Sequence, residues 1–165
     1  MKFNKMLSIL IVFIITMTLY GCPDDFGIDA LRINNESADT LCVFLASGFV
    51  SAYPDTIIPK YSTELGLAVI CPNSILELLP GGNRLYKYIF KERLPQDTLS
   101  VFIFKLDTLI AYNWNIIRRD YKISVRYDLS YPDLKSLGFA IPYPPTEMMK
   151  DMKMYPGYGS VLASQ

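Results

Sequence analysis

The chain has 165 residues, with 16 basic and 16 acidic side chains, 51% hydrophobic residues and no histidine. Balanced charge, with Lys and Arg scattered along the chain, offers no basic face of the kind nucleic acid requires, so nucleic acid is not an expected partner. The missing histidine removes Ser-His-Asp and Cys-His nucleophilic machinery and the usual His-containing zinc sites.

Lys2 and Lys5, the uncharged run from Met6 to Leu19, and small Gly21 before Cys22 are the parts of a secretory signal. The run falls short of the about 20 apolar residues that a transmembrane helix needs. Leu19-Tyr20-Gly21-Cys22 resembles the lipobox of bacterial lipoproteins, which implies that residues 1–21 are a lipoprotein signal peptide and that Cys22 is acylated as the new N-terminus. Tyr20 departs from the small or aliphatic residue usual there, and an uncleaved signal anchor is the alternative. Residues 22–27, with Pro23-Asp24-Asp25, read as an acidic tether. The acidic pair resembles the surface-export signal of Bacteroides-type lipoproteins and implies an outer-membrane, surface-exposed position; the alternative is a solvated periplasmic linker. What remains is the length of one domain able to bury a real core, assigned to residues 28–145 with a Met-, Tyr- and Pro-rich tail at 146–165.

The alternation from Ile28 to Ile33 predicts a half-buried strand, Asn34-Asn35-Glu36-Ser37 a turn, and Thr40 to Ala46 a second, more apolar strand, the two forming a hairpin. Ser47 to Ser62 is broken by Pro54 and Pro59 and reads as a loop. Leu67 to Ile70 is the next strand, and Ser74 to Leu79 is ambiguous between strand and loop. After Pro80-Gly81-Gly82, Asn83 is placed to cap a helix to about Lys91 with Leu85, Tyr88 and Ile89 on its apolar face. Thr98 to Phe104 predicts a central buried strand. A helix capped by Asp107 or Thr108 is expected to reach Arg119, its apolar face formed by Leu109, Tyr112, Trp114, Ile116 and Ile117. Lys122 to Leu129 then alternates, with Ile123, Val125, Tyr127 and Leu129 inward and Lys122, Ser124, Arg126 and Asp128 on a wet side. Ser130 caps a short helix containing Pro132 and ended by Gly138. Phe139 to Tyr143 is the last strand. Thr146 to Met154 suggests a short helix showing Met148, Met149 and Met152, with a loose chain after Pro156-Gly157. The elements describe an α+β fold: a small, mostly antiparallel sheet of about five to six strands with two or three short helices, or, alternatively, a parallel crossover from Thr98 to Lys122.

No motif for chemistry stands out: there is no nucleophile elbow, glycine-rich phosphate loop or EF-hand spacing, and no catalytic residue, metal ligand or cofactor is assigned. A glycosidase-like carboxylate pair is what remains for catalysis, yet Asp24 and Asp25 lie in the tether, and Asp97, Asp107, Asp128 and Asp133 lie at turns or element ends. Of the three cysteines, Cys42 and Cys71 are left once Cys22 carries lipid; they form either a disulfide or two buried thiols. Asp-Thr-aliphatic triplets at Thr40, Thr56, Thr98 and Thr108 resemble the periplasmic O-glycosylation sequon of Bacteroides-type proteins, although Asp-Thr also begins elements well. Tyr53, Tyr61, Tyr143, Tyr155 and Tyr158, in Pro- or Gly-rich contexts, are candidate surface rings for a glycan, and the Pro-rich tail for an envelope-protein partner.

Across Asp97 to Tyr158, the runs Asp97-Thr-Leu-Ser-Val-Phe-Ile-Phe, Arg126-Tyr-Asp-Leu-Ser, Tyr143-Pro-Pro and Met152-Lys-Met-Tyr-Pro resemble a group of short lipoproteins of Bacteroides-type bacteria without an assigned activity. Together these readings describe a lipid-anchored envelope protein, with a non-enzymatic binding or assembly module as the leading function and a His-independent carboxylate hydrolase acting on glycans as the alternative. Its expected partners are the membrane, through the lipid, and a glycan or envelope protein.

Overall fold

The computed structural model describes residues 30–46, 53–54, 57–58, 66–79 and 81–163. Its central element is β5 (Thr98–Lys105), whose interior from Leu99 to Phe104 is buried on both faces. The run of β-branched and aromatic side chains with no charge between Thr98 and Lys105 suits a strand covered on two sides. Around it β2 (Leu41–Ala46), β3 (Ala68–Ile70), β6 (Val125–Ser130) and β8 (Met154–Tyr155) make a five-stranded sheet ordered β3-β2-β5-β6-β8, every pair antiparallel. A second sheet places β1 (Leu31–Asn35) between β4 (Ser74–Leu79), antiparallel, and β7 (Ala140–Tyr143), parallel. Pro142, which has no N–H for a ladder, sits on an edge strand where none is needed. The architecture is the expected α+β, with eight strands among the described residues divided between two sheets rather than five or six in one.

The sheets face each other through Leu31, Ile33, Ile141 and Tyr143 on one side and Leu41, Val43, Val101, Ile103, Val125, Tyr127 and Leu129 on the other. The Tyr127 hydroxyl bridges them by donating to the Pro142 carbonyl at 3.2 Å. The opposite face of the larger sheet packs Cys42, Phe44, Ala46, Phe102 and Phe104 with Ile58 and Ile117.

Several local expectations change. The hairpin of β1 and β2 does not form: Asn34 and Asn35 belong to β1, and the chain then crosses to the other sheet. Asn35 makes that corner. Its Nδ2 donates to the Asp39 and Cys71 carbonyls, while its Oδ1 accepts from Ser37 N and Oγ, so this buried amide substitutes for hairpin pairing. Ser74 to Leu79 is a strand. β5 and β6 pair antiparallel, which removes the crossover alternative.

The helix after Gly82, α1 (Asn83–Arg93), has Gly82 at its N-cap position without a side-chain bond, so Asn83 is not the cap. Its inward side is Tyr86, Ile89 and Phe90, whereas Leu85 and Tyr88 are exposed. The long helix after β5 is instead two, α2 (Leu106–Ala111) and α3 (Trp114–Arg119). Asn113 breaks it because its side chain caps α3, accepting from Ile116 N at 3.1 Å. Tyr112 is accordingly exposed and Ile117 buried.

The capping expected at Ser130 is present as a full capping box with Asp133 in α4 (Tyr131–Ser136). Gly138 follows at φ 58°, the left-handed conformation that favours glycine at a helix end. Thr146 to Met154 is not a helix; a single 3-10 turn covers Glu147–Met149 before β8. The chain beyond Gly157 forms α5 (Tyr158–Ala163), held because Met149 and Val161 insert fully into the inter-sheet core.

Candidate functional site

Two places concentrate unusual geometry. The first is an apolar cavity of about 540 Å³ at one end of the sheet pair, lined by Leu31, Leu79, Leu99 and Leu134 from the β-strands and α4, and by Tyr86, Ile89, Phe90 and Leu94 from α1 and its end. Glu92 and Arg93, both exposed, mark where it reaches the surface. The volume falls within that of ordinary small-molecule sites, roughly 300–1,000 Å³, and the lining is mostly aliphatic and aromatic.

Tyr86 builds this cavity. Its hydroxyl accepts from Leu31 N at 2.7 Å and donates to the Leu79 carbonyl at 2.9 Å, tying α1 to paired residues of β1 and β4. Its ring stacks on Phe139 with centroids 4.9 Å apart, and Tyr131 extends the aromatic contact to Phe90. Gly81 admits the ring: a Cβ there would lie 2.3 Å from it. The sequence signal is Tyr86, Ile89 and Phe90 at i, i+3 and i+4, which the equally apolar but outward-facing Leu85 and Tyr88 mask in the periodicity.

The second place is polar and lies on the other face of the larger sheet. Ser100 and Asp128 are cross-strand partners, and Ser100 Oγ donates to Asp128 Oδ1 at 2.6 Å. Arg126 Nε donates to Asp128 Oδ2 at 3.1 Å, and its Nη1 donates to the Tyr121 hydroxyl. The guanidinium lies 5.9 Å and 5.8 Å from the Tyr121 and Tyr155 ring centroids, inside a T-shaped pair. Asp128 N donates to the Lys153 carbonyl at 2.9 Å, which binds the strand carrying Tyr155.

The side expected to be wet is therefore closed at Asp128, which is only 3% exposed. It is covered because Arg126, Tyr121 and Tyr155 lie over it, a tertiary arrangement that alternation along one strand does not encode. Both oxygens of Asp128 are engaged, one with a hydroxyl and one with a guanidinium. That is the geometry of a buried ion pair holding β5, β6 and β8 in register rather than of a carboxylate pair open to a glycan. Ser100, an isolated hydroxyl in an otherwise apolar strand, was the available signal.

The remaining candidates are dispersed. Cys42 and Cys71 are free thiols, the first buried and the second exposed, and burial pushes the Cys42 thiol up. Thr40, Thr98 and Thr108 are half-buried at element starts, and Thr98 Oγ1 donates to the Gln96 carbonyl at 2.8 Å. Tyr143 is not a surface ring: it is buried in the inter-sheet core, because its strand pairs with β1. Tyr155 is 52% exposed, and Tyr53 is held by Lys153, which lies 4.4 Å from its ring centroid. Cys22, Thr56, Tyr61, Asp24, Asp25 and the signal and tether segments lie outside the described residues. Among the described residues no group of three or more His, Cys, Asp or Glu side chains could hold a metal ion, and no helix is long and apolar enough to cross a membrane. Compared with protein-family models, curated proteins and solved structures, the chain finds no match.

Proposed function

We propose that this chain is a cell-envelope lipoprotein, anchored to the outer membrane through acylated Cys22, whose domain is a non-enzymatic binding module with the α1 cavity as its binding site. The cavity carries this reading. Its wall is mostly aliphatic and aromatic, the Tyr86 hydroxyl is spent on two main-chain groups, and its charged residues, Glu92 and Arg93, stand at the exposed rim. Such a site can hold an apolar body and orient a polar end, and offers nothing placed to attack either.

The anchor rests on the sequence from Lys2 to Cys22, and the outward position on Asp24-Asp25 behind it. Glycans on Thr40, Thr56, Thr98 or Thr108 would fit a surface location.

The test is intact mass and membrane fractionation of the full chain beside Cys22→Ala, with protease shaving of whole cells. The expected result is a mature N-terminus at Cys22 with acyl mass, release of the variant from the membrane fraction, and removal of the domain by external protease. A variant that stays in the membrane at unprocessed mass would make Met6 to Leu19 a signal anchor and overturn the lipid assignment.

A further inference from the structure

We infer that the α1 cavity takes one acyl chain of a lipid drawn from the membrane to which the chain is tethered, with the lipid's polar head left at Glu92 and Arg93. The inference rests on the proposed anchoring and gives its binding site a ligand class.

Three observations converge on this occupant. The interior of the cavity is built from leucine and isoleucine side chains together with the Tyr86 and Phe90 rings, so what enters must be apolar. The mouth carries one exposed cation and one exposed acid, Arg93 and Glu92, side by side at the end of α1. A rim with both signs suits a polar or zwitterionic head that stays in water while its tail is buried, as amphipathic groups do at any apolar boundary. Finally, Leu31 forms part of the wall and is the first residue of β1, so the cavity lies beside the N-terminal start of the described domain. The stretch from Cys22 to Ala30 spans at most about 30 Å even fully extended, which holds Ala30, next to the wall residue Leu31, within that distance of a lipid surface.

The deciding experiment feeds a diazirine-bearing fatty acid to cells making the full chain, irradiates them, and maps adducts on the purified protein by peptide mass. The expected result is a fatty-acid or phospholipid adduct on the peptides from Tyr86 to Leu99, lost in Ile89→Trp, where the larger side chain fills the cavity from its half-buried wall. Ile89→Phe is the milder filling if the first variant misfolds, and Leu85→Trp, on the exposed side of the same helix, should keep the adduct. Adducts only elsewhere, or a cavity adduct unchanged in a folded Ile89 variant, would sink the assignment. So would a cross-link joining the Cys22 peptide to α1, since the occupant would then be the protein's own anchor. The mass of the Cys22 peptide in the same digest reports anchoring separately. An unacylated Cys22 with a cavity adduct would overturn the anchor and keep the ligand, and an acylated Cys22 with an empty cavity would do the reverse.

Discussion

The two faces of the five-stranded sheet are built from the same alternating strands and solve burial in opposite ways. Toward the smaller sheet, Leu41, Val43, Leu99, Val101, Ile103, Val125 and Leu129 make a dry interface that runs out, at the α1 end, into the cavity. On the other face, one part packs Phe44, Phe102 and Phe104 with Ile58 and Ile117, and another part is held by the Arg126–Asp128 ion pair with Ser100 bonded to it. The inner face leaves room where side chains stop meeting. The outer face is specified by bonds that must all be present, and so it should be the more fragile to single changes.

Breaking the ion pair should have the largest effect. Asp128→Ala strands the Arg126 guanidinium against Tyr121 and Tyr155, and a loss of about 3–5 kcal/mol is expected in urea unfolding of the detergent-solubilised full chain. Adding Arg126→Leu to it should recover much of that loss, since replacing a whole buried pair by apolar side chains is often near neutral. A double variant no more stable than Asp128→Ala would show that the network does more than satisfy its own charges.

On the cavity side, Gly81→Ala forces the Tyr86 ring to move and weakens both hydroxyl bonds, for an expected cost of about 1–3 kcal/mol. Thermal unfolding with and without a bound amphiphile would read it. Full stability in this variant would mean that α1 is not fastened through Tyr86.

Between the faces, Tyr127→Phe removes the bond to Pro142 and should cost about 1 kcal/mol at neutral pH. Burial pushes the Tyr127 phenol well above its ordinary range and raises Tyr143 in the same direction. The fold thus favours the neutral phenols, so their contribution is intact below the unfolded value of about 10 and is lost as pH rises above it. Urea midpoints measured from about pH 8 to pH 11 should fall in the native chain and fall less in Tyr127→Phe.

The smallest effect is expected at the rim. Glu92→Gln should change stability by no more than about 0.5 kcal/mol, because both rim side chains reach solvent; a larger loss would place Glu92 in the packing.

The central position of β5, the inward alternation of Val125, Tyr127 and Leu129, and the capping of α4 by Ser130 were all legible in the amino-acid sequence. Each depends on composition or on neighbours within a few positions, where side-chain period and local hydrogen bonds decide the outcome. The division into two sheets, the closure of the side carrying Asp128, the burial of Tyr143 and the insertion of Val161 depended on tertiary structure. Asn35 is bonded to Asp39 and Cys71, Asp128 to Ser100 and Arg126, and Tyr86 to Leu31 and Leu79. Several of those partners are far away in the chain, and period and propensity carry no information about which distant main-chain group a buried amide, carboxylate or phenol will meet. The cavity is of the same kind: helix, strands and turn each supply part of a wall, and the space exists only once Tyr86 has fastened them together.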